Sequence, residues 1–288
     1  MIKEPFFSII IPTFNRPIDL KRAISSVLKQ TYTNYEIIII DNGTITVENT
    51  YLTDKIIVTK EKKIGGNFAR NTGINLAKGL YVCFLDDDDE YLPNHLQVLH
   101  NLIVENNFKV GLYKSFAKIE TKTHSFIEQN DPIKPLEMHK LHYISKYPTY
   151  MNCVCIHKDI FKKHLFNTQV KVAQDFDLWI RIVADFDFYI SPIITNIYHF
   201  SPQSTSTPSK EKYYNYINLY NGYFKNPYYG KFIPKKIQRD RIFKYYFWLL
   251  CEFKKELTFN EYISALYNVI YYNPRIIFEK KIFAILLK

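Results

Sequence analysis

Residues 6–11 (FFSIII) form an apolar, β-branched run closed by Pro12, the pattern of a strand buried on both faces. A polar turn, Thr13-Phe14-Asn15-Arg16-Pro17, follows. Apolar residues then recur at Leu20, Ala23, Ile24, Val27 and Leu28, which predicts a helix with Pro17 in its first turn. Residues 36–40 predict a second strand, ended by Asp41-Asn42-Gly43-Thr44, and residues 55–59 a third. Gly65-Gly66 opens a helix to about Lys78, with Phe68, Ala69, Gly73, Leu76 and Ala77 available for packing. Residues 80–85 form a fourth strand that stops at Asp86-Asp87-Asp88-Asp89. Strands alternating with helices predict an α/β fold with a mostly parallel central sheet flanked by helices, whose ligands lie at the carboxyl ends of the strands.

Past Pro93 the pattern predicts a helix (Leu96, Leu99, His100, Leu102, Ile103) and strand-like segments near 110–119. An irregular stretch with three prolines follows at 131–150, then a strand at 151–157 and a short helix. Residues 174–183 read as a helix with Phe176, Trp179, Ile180 and Val183 on its apolar side, and 188–200 as alternating strand and turn. The small polar loop SPQSTSTPS at 201–209 divides a body of residues 1–204 from a region of residues 205–288. That region predicts helices at 235–253, 258–273 and 275–288. The second has a capping box, Thr258-x-x-Glu261, and a stop at Asn273-Pro274; Phe259, Tyr262, Ile263, Leu266, Tyr267, Ile270 and Tyr271 fit one of its faces.

Composition sharpens this division. The chain has 288 residues, 47% of them hydrophobic, and a formal charge of +10. Residues 205–288 hold 15 Lys/Arg against 6 Asp/Glu, so they carry nearly all of that excess, together with 22 of the 48 aromatic residues. Cys83, Cys153, Cys155 and Cys251 show no CxxC spacing, and Cys153-x-Cys155 alone is a poor zinc half-site; reduced, buried thiols are expected. The start, MIKEPFFSIIIPTFN, reads as no signal peptide, and the longest apolar runs fall short of the roughly 20 residues of a membrane span. A cytoplasmic protein is the expectation.

Polar residues gather at the predicted strand ends: Thr13 and Asn15 after the first, Asp41 and Asn42 after the second, four aspartates after the fourth. A nucleotide site is the natural inference. Yet no GxGxxG follows the first strand and no GxxxxGK[ST] occurs anywhere, so dinucleotide and P-loop readings lose their main support. Adjacent carboxylates repel, and desolvation raises their pKa values unless a cation neutralises them. A hard divalent ion, Mn²⁺ or Mg²⁺, held by one or two carboxylates and completed by diphosphate oxygens, is an economical solution. The alternative is an acidic turn in which Asp88 or Asp89 caps the next helix, with Pro93 in its first turn.

The segments FSIIIPTFNRPIDLKRAISSVLKQTYTNYEIIIIDNGT and GGNFARNTGINLAKGLYVCFLDDDDEYLPNHL, over residues 6–100, resemble the N-terminal half of family-2 glycosyltransferases with the GT-A fold. The likeness resumes at 151–182, where AQDFDLWIRI is similar to that family's acidic catalytic helix. The resemblance implies inverting, metal-dependent transfer of a sugar from a UDP-sugar to a hydroxyl acceptor. By it, Pro12, Thr13 and Asn15 border the nucleotide, Asp41 bonds the uracil, and Arg70 reaches the base or the diphosphate. Asp86 and Asp87 lie near ribose and metal, Asp88 ligates the metal, and Asp175 is the base that deprotonates the acceptor, with Asp177 its rival. His199, in Tyr198-His199-Phe200-Ser201, is a candidate metal or diphosphate contact out of register with the family pattern. Asn42 stands where the family commonly has a second Asp, and Gln174 where it often has Glu. Ordinary roles compete: a turn for Asp41, an ion pair within the Asp cluster for Arg70, and a helix N-cap for Asp175.

For the basic, aromatic region the options are helices that merely pack, a nucleic-acid surface, or an anionic membrane interface. No nucleic-acid-binding motif is present, and the resemblance implies a glycan or lipid-linked acceptor of surface polysaccharide or lipooligosaccharide synthesis. Peripheral docking on the cytoplasmic face of the inner membrane is therefore the expectation. Competing functions are a sugar-phosphate nucleotidyltransferase, which would want a Gly- and Lys/Arg-rich loop after the first strand, and a non-catalytic nucleotide-sugar-binding scaffold.

Overall fold

The computed structural model describes residues 4–45, 47, 54–121, 125–127, 138–199 and 208–278. In chain order the elements are β1 (Phe7–Thr13), α1 (Pro17–Leu28), β2 (Tyr35–Asp41), β3 (Ile56–Lys60), α2 (Gly66–Leu76), β4 (Tyr81–Phe84), β5 (Glu90–Tyr91), α3 (His95–Glu105), β6 (Gly111–Glu120), β7 (Ser125–Ile127), α4 (Lys140–Lys146), β8 (Val154–His157), α5 (Gln174–Asp185) and β9 (Asp187–His199). Then follow α6 (Lys210–Lys225), α7 (Pro227–Gly230), α8 (Lys235–Phe253) and α9 (Phe259–Tyr272). The strands form one sheet in the order β3-β2-β1-β4-β8-β6-β9-β5, with β7 paired to β6. The first four in that order run parallel. Beyond β4 the pairing is mixed: β8 is antiparallel to both β4 and β6, and β9 is parallel to β6 and antiparallel to β5.

The parallel half forms because its strands are apolar on both faces. Ile9–Ile11 and Ile37–Ile40 are fully buried; Ile9, Ile11, Ile37 and Ile39 share a core cluster with Leu20, Ala23, Ile24 and Val27 of α1, and α2 packs on the same strands with Gly73 against Ile10. Burying each such side chain contributes roughly 1.5–3 kcal/mol. Pro12 lies in β1 beside Ile40. Leu85 donates to Ile10 on the β4 side, and Asn42 to Thr13 on the β2 side. Alternation therefore turns the Pro12 nitrogen toward β4, whose pairing with β1 has already ended at Phe84. Leu28, expected on the inner face of α1, is exposed.

Several expectations need correction. The stretch 131–150 contains α4, although residues 131–137 lie outside the described set. Residues 151–157 are a 3₁₀ turn followed by a four-residue strand. Residues 187–199 are one continuous strand, not strand and turn. Cys251 is exposed, unlike the other three thiols. Helix α3 begins after an Asn94 N-cap, with β5 between it and the aspartates. Asp88 and Asp89 therefore cap nothing there, and Pro93 precedes the helix.

The described residues form two compact units, one within Met1–Lys140, Tyr147–Gln169 and Gln174–Ser201, the other within Leu141–Lys146, Val170–Ala173 and Pro202–Lys288. The second unit thus draws on two short segments of the body as well as on the C-terminal region. Its interior is aromatic: Tyr245 stacks on Tyr216 and Tyr220 with centroids 4.7 and 5.6 Å apart, and Arg241 lies over Tyr220 and donates to the Ser145 carbonyl. Helix α8 spans the expected 235–253, and α9 has the expected capping box at Thr258 and Glu261. The helix expected at 275–288 begins as a 3₁₀ turn, Pro274–Phe278; residues 279–288, and residues 200–207 of the polar loop, lie outside the described set.

Candidate active site

The carboxyl edge of the parallel strands carries the polar groups. Thr13, Asp41 and Lys60 are register partners across β1, β2 and β3, and Lys60 pairs with Asp41 at 3.5 Å. Asp41 is buried, and its Oδ1 accepts from the Gly43 N–H at 2.9 Å, so it closes its own turn. Asn15 has φ +56°, in the left-handed region that Asn tolerates. Its Oδ1 accepts from the Thr44 and Ile45 N–H groups, both at 2.8 Å, which clamps the β1 end to the β2 loop. Gly43 is required beside it, because a Cβ there would lie 2.4 Å from Asn15 Oδ1. Asn42, the departure from the usual Asp, donates to the Glu61 and Lys63 carbonyls and accepts from Gly65 N–H. An amide can do both; a carboxylate could not donate.

The four aspartates after β4 form a tight turn in which Asp89 N–H donates to the Asp86 carbonyl at 3.0 Å. The turn sends the carboxylates to different partners. Asp86 pairs with Arg70 at 2.6 Å. Asp87 accepts from Thr13 Oγ1 at 2.8 Å, and Arg16 Nη1 reaches Asp87 at 3.1 Å and Asp88 at 2.7 Å. Asp89 turns inward, accepting from Asn152 and from the His199 N–H. Burial pushes the Asp87 carboxyl up to about 6, against the opposing pull of Thr13 and Arg16. Burial also raises Asp88 and, most strongly, Asp89, with neighbouring carboxylates adding to both. The turn thus sets four carboxyl groups against the two guanidiniums that bond their side chains, those of Arg16 and Arg70.

Arg70, buried on α2, joins the acidic turn to α5. Its Nη2 holds Asp86, its Nη1 donates to Gln174 Oε1 at 3.4 Å, and its guanidinium lies over the Phe166 ring. The missing side chain of Gly66 makes room, since a Cβ there would approach Arg70 Nη1 to 2.8 Å. Arg70 Nε has no partner among the described residues. Asp175 is the second residue of α5, not its N-cap, and its Oδ1 accepts from Phe176 N–H at 2.8 Å. Its carboxyl is raised by burial and by Asp86, while Phe176 N–H and Arg70 pull it down. Asp177, the rival, is buried and locked to Arg181 at 2.7 Å.

Arg70 thus gathers Asp86, Gln174 and Asp175, and Thr13 and Arg16 gather Asp87 and Asp88. His199 is not part of this set. Its Nε2 bonds Glu90 Oε1 at 2.8 Å and its Nδ1 lies 3.8 Å from Glu120, so only its backbone reaches the acidic turn, through Asp89. Sequence reasoning missed Arg16 and Asn152. A cation in the turn facing four aspartates was a usable signal for Arg16; nothing local marks Asn152.

A divalent cation fits this donor set. The groups are hard carboxylate oxygens that outnumber the guanidiniums bonded to them, and the Asp88 side chain (23% exposed) is more open than that of Asp87 (8%). Among the described residues no three His, Cys, Asp or Glu converge on one point, so a donor's phosphates and water would complete the coordination.

A mixed α/β sheet with an acidic turn and a buried arginine at the carboxyl edge of its parallel strands is a GT-A-like arrangement, and comparison with known proteins gives the family. The profile described as "Glycosyl transferase family 2" matches residues 8–165, more than half of the chain. The chain belongs to glycosyl transferase family 2. It is 30% identical to the putative colanic acid biosynthesis glycosyl transferase WcaA of Escherichia coli, over 78% of this chain and 81% of that one. An uncharacterized glycosyltransferase of Rickettsia typhi is 34% identical over 61% of this chain and 58% of its own length. Among solved structures, S. aureus TarS 1-349 in complex with UDP-GlcNAc superposes with a TM-score of 0.62 at 17% identity, covering 92% of this chain and 81% of that one. The mannosyltransferase PcManGT of Pyrobaculum calidifontis, in complex with GDP-Man and Mn²⁺, gives 0.58 at 12% identity over 100% and 87%.

Proposed function

We propose that this glycosyltransferase moves a sugar from a UDP-sugar to a hydroxyl of a glycan or lipid-linked acceptor, with inversion at the anomeric carbon, in assembly of a bacterial surface polysaccharide. The carrying observation is the pair of clusters around Arg70: Asp86 in the acidic turn on one side, Gln174 and Asp175 on the other. Thr13, Asp41 and the Asn15 clamp border the nucleotide. Asp86 and Asp87 face ribose and phosphates, and Asp88 would hold Mn²⁺ or Mg²⁺, which supplies positive charge against the diphosphate. Arg70 offsets charge that builds on the leaving group. Asp175, whose carboxyl burial raises above the usual range, takes the proton of the acceptor hydroxyl as its oxygen attacks the anomeric carbon and the bond to the diphosphate breaks. Asp177 is unsuited to that role because Arg181 occupies it. Support for the donor comes from TarS, solved with UDP and with UDP-GlcNAc, and support for the polysaccharide role from the name of the E. coli relative. The test is NMR of the product formed from an α-linked UDP-sugar: a β linkage is expected, and retained α configuration would refute the inverting mechanism.

A second observation bears on where it works. No helix among the described residues is long and apolar enough to cross a membrane. Yet α9 packs through Ala265 and Val269, whereas Phe259 (78% exposed), Ile263, Tyr267 (65%), Ile270 and Tyr271 face outward. Spaced i, i+4, i+8 and i+11 to i+12, they make one apolar stripe, with Lys254 and Lys255 before the helix and Arg275 after it. An aromatic stripe flanked by cations, in a region with net charge +9, suits an anionic lipid surface.

A further inference from the structure

Arg16 is an unusual residue for its place. It occupies the N-cap of α1, where Ser, Thr, Asp or Asn is preferred and where a cation opposes the helix dipole; its side chain caps nothing. Its backbone is fixed, because its carbonyl accepts from Leu20 N–H at 2.9 Å. What its guanidinium does is bridge two consecutive carboxylates through one nitrogen, Nη1, 3.1 Å from Asp87 Oδ1 and 2.7 Å from Asp88 Oδ2. The Arg16 side chain is 30% exposed, against 10% for Arg70, so it alone of the two can leave the carboxylates by rotating into solvent.

We propose that Arg16 is the resident counter-cation of the acidic turn, and that it makes divalent-metal binding conditional on the donor's diphosphate. A dication at Asp87 and Asp88 competes for them with a guanidinium a few ångströms away, because the like charges repel and both seek the same oxygens, Asp87 Oδ1 and Asp88 Oδ2. Metal binding to the free chain therefore costs Arg16 its two charge-assisted hydrogen bonds and leaves it only the more distant charge of Asp19. A bound diphosphate supplies a new anion at the same place. Metal and nucleotide then favour each other, and reciprocally so, with Arg16 carrying part of that coupling. Arg16 is a positioning residue here, acting on the metal through the carboxylates.

The inference rests on the reading of the acidic turn as the metal-binding place. The experiment measures Mn²⁺ affinity from the electron paramagnetic resonance signal of the free ion, with and without UDP, on the full chain and its variants. For the unsubstituted chain, UDP should tighten Mn²⁺ binding about tenfold or more, within the usual range of coupling. Arg16→Gln should tighten Mn²⁺ binding without UDP by a similar factor and shrink the effect of UDP. Arg16→Lys, which keeps the charge, should stay near the original chain. Arg22→Gln should change neither value, because Arg22 reaches the backbone carbonyl of Asp88 and the side chains of Asp19 and Glu90, not the Asp87 and Asp88 carboxylates. Equal Mn²⁺ affinity of Arg16→Gln and the original chain without UDP overturns the proposal and leaves the metal site standing. So does Mn²⁺ binding to the original chain as tight without UDP as with it, a result that needs no variant. No Mn²⁺ binding even with UDP overturns both this proposal and the metal-site reading.

Discussion

At the scale of single residues, the site works by dividing like groups among unlike partners. Among the aspartates of the acidic turn and Asp175 and Asp177 of α5, Arg70 holds Asp86, Arg16 holds Asp87 and Asp88, and Arg181 holds Asp177. Asp89, though raised, turns inward onto Asn152 and the His199 N–H, which leaves Asp175 with a raised carboxyl and no salt bridge among the described residues. Asp175→Asn should keep UDP affinity while lowering the transfer rate at least 100-fold, as loss of a general base does; calorimetry and a coupled UDP-release assay read the two separately. A buried histidine makes a different prediction. Thr195 Oγ1 donates to Ser115 Oγ, so His95 must donate to Thr195 through Nδ1–H, which leaves Nε2 unprotonated. Complete burial lowers His95 to about 3. The unfolded chain takes up a proton near pH 6.5 and the folded chain only near 3, so this group's stabilisation is full above 6.5 and drains away as the pH falls below it. From pH 6.5 to 5 the loss should be about 2 kcal/mol. Urea melts of the original chain and of His95→Gln should diverge over that interval, the variant being the less acid-sensitive; parallel curves would contradict it.

At the scale of elements, the site depends on loops that are clamped rather than merely short. Asn15, Gly43 and Asn42 tie the ends of β1 and β2 to the turn before α2. Gly43→Ala drives a methyl group onto Asn15 Oδ1, so it should destabilise the fold by about 1–3 kcal/mol and weaken UDP binding in parallel; thermal melts and calorimetry test both. Much of this frame was legible in the chain. The isoleucine runs of β1 and β2 could be nothing but buried strands, and the alternation with helices placed Thr13, Asp41 and the aspartates at one edge. The site was legible chiefly through the spacing of several motifs. What was not legible depended on long-range geometry. Helix α6 buries Tyr213, Ile217, Tyr220 and Phe224 at helical spacing, but its Tyr- and Asn-rich sequence offers no contrast between faces. The chain alone could not show that β5 separates the aspartates from α3, nor that Asn152, 63 residues on, holds Asp89.

At the scale of the molecule, the charge of +10 separates into a nearly neutral body that holds the family-matched residues 8–165 and a basic helical region, and only the second points to a surface. The exposed stripe on α9 should bind vesicles containing anionic lipid in flotation assays. Phe259→Ser with Tyr267→Ser should abolish binding without lowering the melting temperature, since neither side chain is buried. A concentration-dependent dimer in place of vesicle binding would assign the stripe to a second copy of the chain instead. The catalytic claim is independent of that outcome. Its most direct test is release of nucleoside diphosphate from a panel of UDP-sugars and GDP-mannose, with Mn²⁺ or with chelator, by the original chain and by Asp88→Ala and Asp175→Asn. UDP release from at least one UDP-sugar is expected, dependent on the metal and lost in both variants. Undiminished release by either variant, or turnover of GDP-mannose alone, would contradict it.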